Sequence, residues 1–181
     1  MLSEYQIRRA IPDDATGIAR VHIDSWHDTY RGIVPDEFLD SMDYAQRAER
    51  WRQRLDIEAG TLSSTLNLVA VDTTGSVVGF ISGGRERERA VRTEGEIYAI
   101  YLLPDVKGIG LGRELIRDLV RALEVEGFTS LLVWVLSDNP SRHFYERLGG
   151  IEERRKVIDI GNQKFEEIAY VWSDLALLLT S

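Results

Sequence analysis

The stretch LPDVKGIGLGRELI, residues 103–116, constrains the fold more tightly than any other part of the chain. It sets Gly108, Gly110 and Gly112 at alternate positions between two strongly patterned segments. Before it runs EIYAIYLL (96–103), with the length and the aromatic and β-branched content of a buried strand. After it, Leu111, Leu115, Leu119 and Leu123 recur at the spacing of one helix face. The glycines therefore fall on a strand-to-helix turn. Successive bare N–H groups and the positive end of a helix dipole meet there, an arrangement suited to an anion, most often phosphate. A P-loop would read GxxxxGK[ST], which is absent. A dinucleotide fingerprint would follow the first strand of a βαβ unit and read GxGxxG, whereas Gly110-Leu-Gly112 lacks the third glycine of that pattern and this turn lies mid-chain after several strands. A tight turn with no ligand is the plain alternative.

The remaining pattern predicts one domain over residues 1–181, without linker or repeat. Residues 5–9 read as a short strand closed by Pro12, and Asp13 or Asp14 as the cap of a helix carrying Ile18, Val21, Ile23 and Trp26. A second helical region begins at Pro35 and continues through Ala45 to Glu58. Residues 66–71 and 77–82 are strands around the turn DTTG, and 83–90 (GGRERERA) read as a charged, solvated connection. The helix after the glycine turn stops near Gly127, a strand spans 131–136, and DNP at 138–140 opens a short helix ending at Gly149. Two strands, 153–160 and 165–172, flank the Gly161-Asn162 turn. Helices alternate with strands only in the middle, which indicates a mixed α/β (α+β) sheet of about seven strands flanked by about four helices.

Composition excludes several classes of function. At 181 residues and 44% apolar content the chain can bury a full core. A net charge of −8 argues against nucleic acid, which needs a basic face. Without cysteine there is no thiolate metal site or thiol nucleophile, and the three scattered histidines lack metal-ligand spacing, so no metal is expected. No apolar run reaches the roughly 20 residues that span a bilayer, and the start lacks a signal-peptide core; no membrane association and a cytoplasmic location are expected.

A second motif, NPSRHFYERLG at 139–149, follows the strand 131–136. Together, KGIGLG at 107–112 and this motif resemble the GNAT superfamily of acetyl-CoA-dependent N-acetyltransferases. Their order matches the family's (Q/R)-x-x-G-x-(G/A) loop and its N-x-x-A-x-x-F-Y-x-x-x-G-F pattern, the second with one residue fewer between Asn139 and Ser141 and the same spacing from Ser141 onward. Lys107 replaces Gln or Arg, Ser141 replaces Ala, and Gly150 replaces Phe. The opening IRRAIPDDATGIARVHIDSW and the ending EIAYVW extend the resemblance over nearly the whole chain.

The resemblance implies the GNAT acyl-CoA N-acyltransferase fold and acetyl-CoA as co-substrate. Its pyrophosphate would lie on the backbone of Gly108, Ile109, Gly110, Leu111, Gly112 and Arg113, with Lys107 and Arg113 adding charge. Main-chain groups of Ile100, Tyr101 and Leu102 would meet the pantetheine arm, admitted by a splay between strands 96–103 and 131–136. Tyr145 would protonate the departing thiolate, being protonated at neutral pH, and helical geometry turns it away from the core pair Phe144 and Leu148 toward a cleft edge. Asn139 reads as a helix cap and, by resemblance, a coenzyme contact. Glu96 falls where some family members carry a catalytic base, with Glu94 as a nearby competitor. Trp26 and Tyr30, four residues apart, could line the acceptor pocket or simply pack as core. The expected reaction is direct attack of a primary amine on acetyl-CoA in a ternary complex. A non-catalytic acyl-CoA-binding module and a protein N-terminal or lysine acetyltransferase are the alternatives. A small-molecule amine is the expected partner, and pairing of two copies into a homodimer stays open.

Overall fold

The computed structural model describes residues 4–59, 65–88 and 93–180. Seven strands form one sheet in the order β1-β2-β3-β4-β5-β7-β6. They are β1 (Gln6–Arg9), β2 (Leu66–Val71), β3 (Val77–Arg85), β4 (Gly95–Leu102), β5 (Leu131–Leu136), β6 (Ile151–Ile160) and β7 (Gln163–Trp172). Only the β4–β5 pair is parallel; every other neighbouring pair is antiparallel. Among the described residues there are six helices: α1 (Ala15–Tyr30), α2 (Asp36–Asp40), α3 (Tyr44–Ala59), α4 (Leu111–Val125), α5 (Arg142–Arg147) and α6 (Ala176–Thr180).

Strand alternation divides the core between two helical layers. Leu68, Ala70, Ile81 and Ile97 pack with Leu115, Ile116, Leu119 and Leu123 of α4 and with Leu178 of α6. Val69, Val71 and Phe80 point the other way, onto Ile18 and Val21 of α1 and Trp51 and Leu55 of α3. Leu115, Leu119 and Leu123 are wholly buried, and each such side chain contributes about 1.5–3 kcal/mol. A third cluster joins Tyr30, Val34 and Leu39 to Leu136 and Ile160, clamping the α1–α2 connection over β5 and the β6–β7 hairpin.

Four sequence expectations need correction. The single helical region from Pro35 is two helices, because Ser41 Oγ donates to the Phe38 carbonyl at 2.7 Å and Asp43 Oδ1 accepts the Gln46 N–H at 2.6 Å. These local bonds end one helix and cap the next. The carboxylate of Asp14 accepts the Ile11 N–H and two Arg8 bonds, closing the turn into α1 without capping it. The solvated connection at 83–90 instead continues β3 to Arg85; Glu86 beyond it is buried and Arg87 is ion-paired, while 89 and 90 lie outside the described residues. Helix α6 carries no periodic signal in the sequence, yet Leu175 and Leu178 enter the α4-side core.

The feature that shapes the site is the separation of β4 from β5. They pair only at Gly95–Leu131, Glu96–Leu132 and Ile97–Val133. Directly after Ile97 the β3–β4 register shifts, with Ile97 opposite Gly83 and Ala99 opposite Ser82, so Tyr98 is the extra residue of a bulge. A bulge bends the strand that carries it. Among the described residues the β5-facing edge of β4 has no strand partner from Tyr98 to Leu102, as the resemblance led one to expect.

Candidate active site

The glycine turn lies where β4 leaves β5. Gly108 (φ +78°) and Gly110 (φ +97°) hold left-handed backbone that side-chain-bearing residues rarely adopt. Gly112 serves a different purpose: a Cβ there would sit 3.2 Å from Leu102 and 3.5 Å from Phe144, so its absence lets α4 approach β4 and α5. Among the described residues, the N–H groups of Gly108, Ile109, Gly110, Leu111 and Gly112 have no backbone acceptor of good geometry. With the N-terminus of the fifteen-residue α4 behind them, they form a set of backbone donors of the kind that suits a pyrophosphate.

The cations expected beside the turn divide. Lys107 Nζ lies 2.6 Å from Asp28 Oδ2, a half-exposed surface pair that ties the turn to α1. Arg113 is exposed on the first turn of α4. Of the strand residues, Ile100 faces the α4 side, Tyr101 faces the α1 side, and the Leu102 carbonyl accepts Ser25 Oγ at 2.8 Å.

Tyr145 corrects the expected geometry. It is buried and Phe144 only half-buried, the reverse of a tyrosine at a cleft edge. Its ring packs on Tyr170 and Trp172 in the α4-side core. Burial pushes its pKa well up, and Tyr101 from the other face adds to the shift. Tyr30 is raised by burial and by both Tyr101 and Tyr145. Tyr101 is pushed up to about 12 by burial, opposed by Trp26, whose indole N–H approaches it without hydrogen-bonding geometry. Three phenols from α1, β4 and α5 thus lie within electrostatic reach of one another, all held protonated at neutral pH.

Asn139 joins two of these elements. Its Oδ1 accepts the Ser141 N–H at 2.8 Å, the expected capping role, although α5 itself starts at Arg142. Its Nδ2 donates to the Tyr30 hydroxyl at 2.8 Å, so both ends of the amide are engaged within the protein. Trp26 packs against Tyr30 with ring centroids 4.6 Å apart, and both belong to the third core cluster.

The two expected carboxylates are occupied. Glu96 is 1% exposed and bound by Arg87, through its backbone N–H, its Nε and a closer Nη2 contact. Nothing in the sequence marks Arg87 as its partner, because the contact depends on the β3–β4 connection folding back over β4. Glu94 does not reach the site. At the far end of β4 it accepts the Thr129 N–H and hydroxyl at 2.7 and 2.9 Å, which lowers its pKa.

Sequence reasoning passed over a further charged group on the α1 side of the sheet. Lys156 of β6 lies 2.7 Å from Glu88 and 3.6 Å from Glu167, and over the Trp134 ring at 4.1 Å. The signal was present: Phe165, Glu167, Ala169 and Val171 alternate along one face of β7, so one carboxylate falls on an otherwise apolar face. A groove of about 690 Å³ between α1 and α3, lined by Arg20, Asp24, Tyr44 and Arg52, shares no residue with the glycine turn. Among the described residues no cluster of three or more His, Asp or Glu is placed to hold a metal, and no helix is long and apolar enough to cross a membrane.

Known proteins resemble this chain in sequence and in fold. The family described as FR47-like protein matches residues 77–158, from β3 through the glycine turn to β6. The uncharacterized N-acetyltransferase YuaI of Bacillus subtilis (strain 168) is 36% identical over 174 residues, 96% of each chain. Among solved structures, the PaiA N-acetyltransferase of Thermoplasma acidophilum, in complex with coenzyme A, superposes with a TM-score of 0.68 at 20% identity, covering 91% of this chain and 97% of that one. Ribosomal-protein-S5-alanine acetyltransferase from Vibrio fischeri gives 0.72 at 19% identity, covering 93% and 92%.

Proposed function

The chain belongs to the GNAT superfamily of N-acetyltransferases, and from that premise we propose that it transfers the acetyl group of acetyl-CoA to a primary amine by direct attack in a ternary complex. The observation that carries this reading is the unpaired donor set from Gly108 to Gly112, placed where β4 parts from β5. A coenzyme A complex is described for the PaiA neighbour, which supports the same ligand here. Acetyl-CoA, when bound, supplies an activated thioester carbonyl.

This chain's own groups handle the rest. The N–H groups of the glycine turn and the α4 N-terminus offset the pyrophosphate charge. The unpaired edge of β4 from Tyr98 to Leu102 offers main-chain groups to the pantetheine amides and the thioester oxygen. Donors fixed before reaction stabilise the developing oxyanion without reorganisation. Tyr145, whose hydroxyl has no hydrogen bond among the described residues, donates its proton to the thiolate as the C–S bond breaks.

Calorimetry with acetyl-CoA tests the reading. Gly110→Asp puts a side chain on left-handed backbone and a negative charge where phosphate belongs. Affinity should fall more than about tenfold, or about 1.4 kcal/mol, in a protein that retains its fold. Equal affinity in the folded variant would move the coenzyme elsewhere and remove the basis of the reading.

A further inference from the structure

The proposed reaction requires an acceptor that reaches the gap as an ammonium ion and loses a proton before it attacks. On the α1 side of the sheet three carboxylates lie together, Glu88 and Glu96 acting on Glu167, while Arg47 of α3 acts on Tyr101 and, with Arg54, on His22. Glu96 is matched by Arg87. Glu88 and Glu167, however, share Lys156, which sits close to Glu88 at 2.7 Å and only 3.6 Å from Glu167. Glu167, whose side chain is 18% exposed, is therefore the least closely held of the three carboxylates.

Position strengthens the case. Glu167 pairs in register with Leu136, the last residue of β5, and with Lys156 of β6. Leu136 packs in one cluster with Tyr30, whose hydroxyl meets Asn139. The groups facing Glu167 are Lys156 from β6, Glu88 and Glu96 from the β3–β4 region, and Tyr30 and Tyr101 across the gap. Its neighbour Glu166 points away, onto Arg155 at 2.7 Å.

We infer that Glu167 pairs with the ammonium group of the acceptor and takes its proton before attack, from the side of the gap opposite Tyr145. The inference rests on the proposed acetyl transfer and replaces Glu96 as the base. Burial raises the pKa of Glu167, with Glu88 and Glu96 adding to the shift and Lys156 opposing it, which suits a group that must receive a proton.

The step balances. The Glu167 carboxylate takes one proton from R–NH3+, leaving R–NH2 and a carboxylic acid. The nitrogen lone pair forms the C–N bond at the thioester carbon. As the intermediate collapses, the C–S bond breaks and the sulfur receives the Tyr145 proton. The second nitrogen proton, released after attack, restores the phenol, and Glu167 returns its own to solvent. The net release is one proton per turnover.

The test does not depend on knowing the natural acceptor. With coenzyme A present, n-butylammonium and an alanine tripeptide amide are titrated separately into the protein. The indole N–H of Trp134, beneath Lys156, is the NMR reporter. The wild type should bind at least one probe saturably, with affinity rising as pH increases and the carboxyl ionises. In Glu167→Gln that affinity should fall at least about tenfold and lose its pH dependence. The tighter probe then indicates whether the ammonium belongs to a small amine or to a peptide terminus. Failure of both probes to bind the wild type, or equal affinity in the Gln variant, overturns the inference. If the variant does not fold, a wild-type affinity independent of pH overturns it instead. Retained coenzyme A binding in any of these cases leaves the proposed acetyl transfer standing.

Discussion

At the residue scale, Tyr145 shows how burial changes the meaning of a catalytic candidate. Helical geometry alone turns it toward a cleft edge, but the ring lies in the core, packed on Tyr170 and Trp172. A phenol whose pKa is pushed up stays protonated through substrate binding and is present as a donor when the C–S bond breaks. Tyr145→Phe keeps the ring contacts with Tyr170 and Trp172 and removes that proton alone. Turnover should fall roughly 10²-fold or more, with acetyl-CoA affinity nearly intact. A Phe variant turning over at the wild-type rate would return Tyr145 to a purely structural role.

At the scale of elements, strong periodicity was legible and cooperative contacts were not. Strand β5 matches the expected 131–136, and α4 ends one residue before the expected limit, because both segments are apolar along an unbroken face. The division of α2 from α3 was hidden, since it depends on Ser41 and Asp43 turning their side chains onto their own backbone. The glycine turn was legible from three residues. The Glu96–Arg87 pair was not, because its partners meet only once the connection folds back over β4. Helix α6 left no periodic trace: five residues make hardly more than one turn, and tertiary packing holds it. Leu178 is its wholly buried anchor under α4. Leu178→Ala should therefore cost about 2–5 kcal/mol, read as a lower urea midpoint, and leave acetyl-CoA affinity unchanged. A loss under about 1 kcal/mol, well below the usual cost of such a truncation, would mean that α6 is not docked in solution.

At the scale of the whole molecule, the two helical layers meet the sheet differently. The α4 side is an almost continuous apolar core, whereas the α1 side also carries Glu96, Lys156 and Glu167. That asymmetry has a consequence for acid stability through His22. Its ring stacks on Trp26 at 6.0 Å and Phe80 at 6.1 Å and lies tilted to Tyr101 at 4.9 Å, and among the described residues its Nδ1 has no hydrogen-bond partner. Burial lowers its pKa to about 3, with Arg47 and Arg54 contributing. The folded protein thus holds a neutral imidazole, while the unfolded chain takes up a proton near the ordinary value of about 6.5. A depressed folded-state pKa means that the unfolded state binds more protons below that value, so stability is complete above about pH 6.5 and declines toward pH 3. His22→Phe keeps an aromatic ring in the stack, gives up no hydrogen bond at Nδ1 and removes the titration. Urea midpoints should match the wild type at neutral pH and fall less steeply between pH 6.5 and 3. An identical acid decline in both proteins would assign it to the carboxylates, Asp14 and its Arg8 bonds foremost, whose pKa the fold also lowers.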